Sequence, residues 1–310
     1  MLIDVVLEAG RAAVQFALFV MLPIMVVMLF FMRLAEARGW LDWLVERMTP
    51  LLAPFGMGGL GIFAALQINF VSFAAPVATL SIMEQRGVSD RHIAATLAMV
   101  FAMSQANAAL PMMAMGLHFG PTLLFSVLGG LAAASFTYHV AGRYLSPEEG
   151  EISATISHQS AEGAKGVLDV INRAGAEAFK IAVGAIPMLV LSLVIVGALK
   201  HSGAIAMLTT SLTPLLIAAS IDPVVILPGL TKYLAGGTAM LGVVDTLYRS
   251  GQLGADLINA YAGFLVSPFD LPGVAVLISA GKRIAAVWKP AAVGACVGIV
   301  LRILGHAYFG

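Results

Sequence analysis

The side chains best suited to chemistry in this sequence are one lysine and one aspartate, each set among glycines, prolines and oily residues. Lys232 lies within Thr231-Lys232-Tyr233-Leu234-Ala235-Gly236-Gly237-Thr238-Ala239-Met240, with apolar runs at 224–227 and 241–244 on either side. An ammonium at the centre of a bilayer costs about 2.5–3.5 kcal/mol even on the lenient insertion scale, so it must face protein or a wet cavity. Gly236-Gly237 is a poor helix interior, because each glycine costs about 1 kcal/mol against alanine. Unwound backbone is tolerated in hydrocarbon only where it is buried in protein or lines a cavity. The stretch therefore predicts a broken helix around a polar site. Asp270 sits in Ser267-Pro268-Phe269-Asp270-Leu271-Pro272-Gly273, where two prolines free backbone carbonyls around a carboxylate. That arrangement suits cation or proton coupling, and equally a helix cap. Lys232 has three options: to snorkel, to pair with Asp245 or Asp270, or to meet a solute, ion or proton.

Amides mark two further interruptions of apolar sequence: Gln67, Asn69, Ser72 and Pro76 within 56–83, and Ser104-Gln105-Ala106-Asn107 with Pro111 within 93–117. Such amides can be interhelical glue, worth only about 0.6 kcal/mol per bond in measured cases. Four of them at two break points favour a lined cavity. The candidate substrate-binding set is therefore Gln67, Asn69, Ser72, Gln105, Asn107, Lys232, Tyr233, Gly236, Gly237, Thr238 and Asp270. No metal or cofactor site is expected. The six histidines are scattered, and there is no H-E-x-x-H pair and only one cysteine, Cys296. Catalysis is not expected either, since neither G-x-S-x-G nor clustered Cys and His occurs.

The elements that position these groups follow from composition. With 60% hydrophobic and 11% charged residues, against about 25% charged in an ordinary soluble domain, the chain reads as an all-α integral membrane protein. Its partners are the lipid bilayer and a small-molecule or ion substrate, and net charge +0 without a basic run gives no reason to expect nucleic acid. The first residues carry Asp4 and Glu8 and lack a basic region, which argues against a cleaved signal peptide. A first span is predicted over 13–34, an interfacial helix over 39–50 with Trp40 and Trp43, and a clean span over 122–141. Residues 146–172 are polar and have no apolar run long enough to cross.

After that linker the same order returns in register. Adding 164 to Pro23, Gly39, Pro50, Gly87 and Gly130 gives Pro187, Gly203, Pro214, Gly251 and Gly294. The residues that punctuate helices recur at one offset, so the chain reads as a duplication: a first membrane repeat at 1–145, a cytoplasmic linker at 146–172 and a second repeat at 173–310. The stretch 231–240 then corresponds to 67–76, and 268–272 to 104–108. Basic residues decide orientation. Arg33, Arg38, Arg47, Arg86, Arg91, Arg143, Lys165 and Arg173 share one side if 56–83 dips in and returns. Half one then crosses an odd number of times and the second half is inverted, with both termini outside. Inverted repeats with broken helices are the architecture of secondary transporters. Gly294 and Gly298 form a small-xxx-small face that suits packing within the chain or a homo-oligomer.

The paired, broken-helix repeat resembles the nucleoside recognition, or Gate, domain family. That family is related to spore maturation proteins A and B and to membrane regions of ferrous iron transporter B and concentrative nucleoside transporters. The resemblance is carried by 67–76 in one half and by 232–240 and 267–273 in the other, and it covers most of the chain outside the linker. No G-x-x-x-x-G-K-[ST] loop is present. The resemblance implies a multi-pass protein of a bacterial-type inner membrane that moves a small polar or charged solute. The alternative it permits is a non-transporting partner in a membrane assembly, in which the polar residues at the breaks would tolerate loss.

Overall fold

The computed structural model describes residues 2–147, 166–218 and 221–309; most of the predicted linker, 148–165, lies outside them. Among the described residues every regular element is helical. The first repeat runs α1 (Leu2–Phe16), a π turn (Ala17–Met21), α2 (Leu22–Ala37), α3 (Trp40–Leu52), α4 (Gly59–Phe70), α5 (Pro76–Gln85), α6 (Asp90–Ala102), α7 (Ala106–Met113) and α8 (Phe119–Phe136). The second runs α9 (Val167–His201), α10 (Ala204–Ala218), α11 (Ile226–Ala235), α12 (Gly237–Arg249), α13 (Ala255–Leu265), α14 (Leu271–Ile278), α15 (Lys282–Ala286) and α16 (Trp288–Phe309). The 164-residue offset predicted from punctuation holds in the backbone. Trp40 and Ala204 open α3 and α10. The glycines before them, Gly39 and Gly203, are both left-handed at φ 70° and 75°, as are Gly87 and Gly251 at 70° and 73°. At these turns only glycine escapes the Cβ clash of that region.

Among the described residues, five helices are long and apolar enough to cross a membrane: Val5–Ala35, Asp90–Met113, Phe119–Ala141, Val167–Leu199 and Trp288–Phe309. The chain is a multi-pass membrane protein. Three of these helices precede residue 146, and the bent pair Trp40–Phe55 and Gly59–Phe70 would add a fourth span there if it crosses. The first span, Val5–Ala35, is longer than the predicted 13–34, because helix already forms over the charged residues before it. The predicted interfacial helix forms, with Trp40 and Trp43 more than half exposed, and the chain bends by 105° between it and α4.

The core is built across the repeats. One cluster joins Met21, Met25 and Leu29 to Leu189, Met240 and Val244; a second joins Ile68, Leu80, Ile93 and Leu97 to Ile284, Ala291 and Ala295. At its centre α6 is buried continuously from Ile93 to Ala102. The small-residue face of α16 turns inward: a Cβ on Gly298 would lie 2.2 Å from the Gly129 carbonyl oxygen of α8, and one on Gly294 1.8 Å from Thr137 Oγ1. Gly298→Ala is therefore expected to destabilise the protein by about 1–3 kcal/mol, as overpacking does. A thermal melt checks this, and an unchanged midpoint would show that the two helices separate at no cost.

Candidate functional site

Lys232 belongs to the last turn of α11. The predicted unwinding of 231–240 contracts in the structure to one residue, Gly236, at φ 93° and ψ 167°. That conformation is open to glycine and strained for any residue with a side chain, and it suffices to turn the chain so that α11 and α12 pack on each other. The counterpart break in the first repeat spreads over 71–75, between α4 and α5. Lys232 is fully buried and donates from Nζ to the Phe269 carbonyl oxygen at 3.0 Å. Its Nζ lies 3.8 Å from Asp270 Oδ2 and 4.2 Å from the centre of the Tyr233 ring. The other candidate partner, Asp245, pairs instead with Arg249 one turn along at 2.8 Å.

Asp270 takes the capping role and also faces the lysine. It is the N-cap of α14, accepting from Gly273 N at 2.8 Å through Oδ1. Pro272 follows within the first turn, where its missing N–H costs nothing. The second oxygen, Oδ2, is buried and has no hydrogen bond. One carboxylate thus anchors a helix with one oxygen and turns the other to an ammonium.

The breaks of the two repeats complete one another. Gln105 N donates to the Val266 carbonyl at 2.8 Å, and Gln105 Nε2 donates to the Ser267 carbonyl at 3.1 Å. Asn107 spans the other pair of breaks, accepting from Phe73 N at 3.1 Å and donating to Thr238 Oγ1 at 3.3 Å. Gly237 leaves room for this amide, since a Cβ there would lie 2.2 Å from Gln105 Nε2 and push it aside. Between the breaks opens a cavity of about 560 Å³. Seven of the residues picked from sequence line it: Ser72, Gln105, Asn107, Gly236, Gly237, Thr238 and Asp270.

Four others do not. Gln67 accepts from Thr79 Oγ1 at 2.7 Å and so ties α4 to α5. Asn69 donates to the Ala65 carbonyl at 2.8 Å and accepts from Ser126 Oγ at 2.6 Å; Ser126 in turn accepts from Ser104 N at 2.7 Å. Through their amide oxygens Gln67 bridges α4 to α5 and Asn69 bridges α4 to α8, so these oxygens bind protein and not the cavity. Lys232 lies behind the wall that Asp270 presents. Tyr233 is not in the cavity lining and is 42% exposed.

Sequence reasoning missed two groups. Glu177 and Lys180 of α9 line the cavity, with Glu177 held by Arg33 of α2 at 2.8 Å. Their three-residue spacing on one helix face was the available signal, masked by the polar sequence next to them. The second group is Arg302 of α16, which is fully buried. It donates from Nη1 to the Ala102 carbonyl that ends α6, and from Nη2 to Ser104 Oγ at 2.8 Å and to the Ala262 carbonyl of α13 at 3.5 Å. Each helix C-terminus carries about half a negative charge, so two of them offset about one guanidinium. Arg302 thereby holds both broken helices just ahead of the residues that reach the cavity.

No protein-family model matches the chain, and no curated protein does. Solved structures do. The chain aligns with CNTnw, a concentrative nucleoside transporter, in an outward-facing state at TM-score 0.69 and 16% identity, covering 99% of this chain and 84% of that one. It aligns with CNTnw in an inward-facing substrate-bound state at TM-score 0.68 and 16% identity, covering 98% and 81%. An intermediate state of CNTnw matches at TM-score 0.69 and 16% identity over 95% of this chain and 77% of that one. The chain has the fold of these membrane transporters.

Proposed function

We propose that the protein is a transporter that moves a small polar solute through the cavity between the two repeats, in the inner membrane of a bacterial-type cell. The observation that carries this reading is that seven residues from breaks in both halves line one cavity of about 560 Å³, a size in the usual range for small-molecule sites. Supporting it are the transporter fold, the matching break positions and the resemblance of the break sequences to the nucleoside recognition domain family. The repeats are read as inverted, with the breaks near the middle of the bilayer and the termini outside. The amide and hydroxyl groups of Ser72, Gln105, Asn107 and Thr238 in the lining select a solute that can form hydrogen bonds. An apolar solute would leave these groups unpaired at a cost of about 1–3 kcal/mol each.

The test is ligand-dependent thermal stabilisation of the purified protein across nucleosides, nucleobases, small organic ions and divalent metals. A ligand that binds only the folded state at 100 times its Kd stabilises by about 2.7 kcal/mol. Thr238→Val removes one cavity hydroxyl at nearly constant volume. It is expected to weaken the active ligand about tenfold, the effect of about 1.4 kcal/mol. If no solute in the panel stabilises the protein, or if Thr238→Val leaves the binding curve in place, the cavity is not the site.

A further inference from the structure

We propose that the Lys232 ammonium is a resident cation. It occupies the position in the wall of the site where a free monovalent cation would otherwise bind, and the protein takes none there. Three features that attract positive charge converge on this point: the Phe269 carbonyl oxygen at 3.0 Å, the Asp270 carboxylate with Oδ2 at 3.8 Å, and the face of the Tyr233 ring at 4.2 Å. A carbonyl and a carboxylate from one helix break, closed by an aromatic face, make a hard-oxygen site with a π lid. Asp270 Oδ2 has no hydrogen bond and is shut away from water, so its charge requires a cation in this place. The lysine supplies one on a tether anchored in α11.

The distances show that the tether fits loosely. Nζ is within hydrogen-bonding range of Phe269 but beyond the 2.7–2.9 Å of a charge-assisted bond to the carboxylate. The ammonium satisfies the site by charge more than by contact. Removing the side chain beyond Cβ would leave the carbonyl, the carboxylate and the ring in position around a vacant space that matches a small cation. This inference concerns the lysine pocket behind the cavity wall, and it holds whether or not the cavity carries a transported solute.

The experiment compares unfolding midpoints of the purified wild type, Lys232→Ala and Lys232→Ala/Asp270→Asn in sodium, potassium, methylammonium and choline chlorides at one ionic strength. The wild type is expected to respond equally to all four. Lys232→Ala is expected to gain a saturable rise on the order of 2–4 °C at a few times the dissociation constant in at least one small cation, with none in bulky choline. Rescue by methylammonium alone identifies an ammonium site, and rescue by sodium or potassium an alkali-cation site. The double variant, lacking the carboxylate charge, is expected to lose the selectivity. Saturable stabilisation of the wild type by sodium or potassium would overturn the proposal. So would a single variant that responds no differently from the double variant, or one that yields no folded protein in any of the small cations.

Discussion

Lys232→Met is expected to destabilise the protein by about 3–5 kcal/mol, the usual cost of removing one member of a buried charge pair. Methionine fills the space of the lysine stem, so the loss reports the stranded Asp270 carboxylate and not a hole. Asp270→Asn strands the ammonium in turn, but it keeps a side-chain oxygen to cap α14, because asparagine and aspartate are near-equal N-caps. The double variant Lys232→Met/Asp270→Asn removes both charges, and most of the lost stability should return. Chemical or thermal unfolding of the four proteins closes the cycle. A Lys232→Met protein as stable as the wild type would show that the 3.8 Å pair contributes nothing. Once a solute is in hand, liposome uptake by the double variant separates the roles. Restored folding without restored uptake places the charge pair in the transport step, and restored uptake makes it structural only.

The second large effect is expected at Arg302. Arg302→Met leaves the Ala102 carbonyl and the Ser104 hydroxyl without their donor, at about 1–3 kcal/mol for each buried acceptor. It also removes the charge that faces two helix C-termini. Arg302→Lys keeps the charge but loses the planar fork that reaches Ala102 and Ser104 together. The midpoints should therefore fall in the order wild type, Arg302→Lys, Arg302→Met. An Arg302→Met protein that melts with the wild type, or above Arg302→Lys, would show that the carbonyls find other partners.

Much of the architecture was legible because prolines and glycines leave marks that side-chain packing cannot erase. The offset between Gly39 and Gly203 reappears as two left-handed turns, and Gly87 and Gly251 repeat the pattern. Lys232 and Asp270 stood out because charge is costly among oily residues. Gln67 and Asn69 were placed in the cavity because an amide near a helix break looks the same in sequence whether it faces a void or a neighbouring helix. Direction decides, and direction comes from packing. Arg302 carries the same mark, a charge between Val300-Leu301 and Ile303-Leu304, but its partners are two backbone carbonyls and one serine hydroxyl, which sequence does not single out. The same limit hid the bond from Gln105 N to the Val266 carbonyl. The choice between Asp245 and Asp270 as partner of Lys232 likewise needed coordinates, since it turned on the preference of Asp245 for Arg249 one helical turn away.

The clasp between Arg302 and the end of α6 also constrains how the chain can be made. Ala102 leaves the ribosome well before the guanidinium that covers its carbonyl, which lies 200 residues downstream. Until α16 arrives, α6, part of the most buried of the described spans, must wait in the lipid with an open flank and an unsatisfied end. A nascent chain can tolerate that only if its early helices stay loosely associated, or if an insertion factor shields them. The fold is therefore locked late, by a helix that closes around segments inserted long before it.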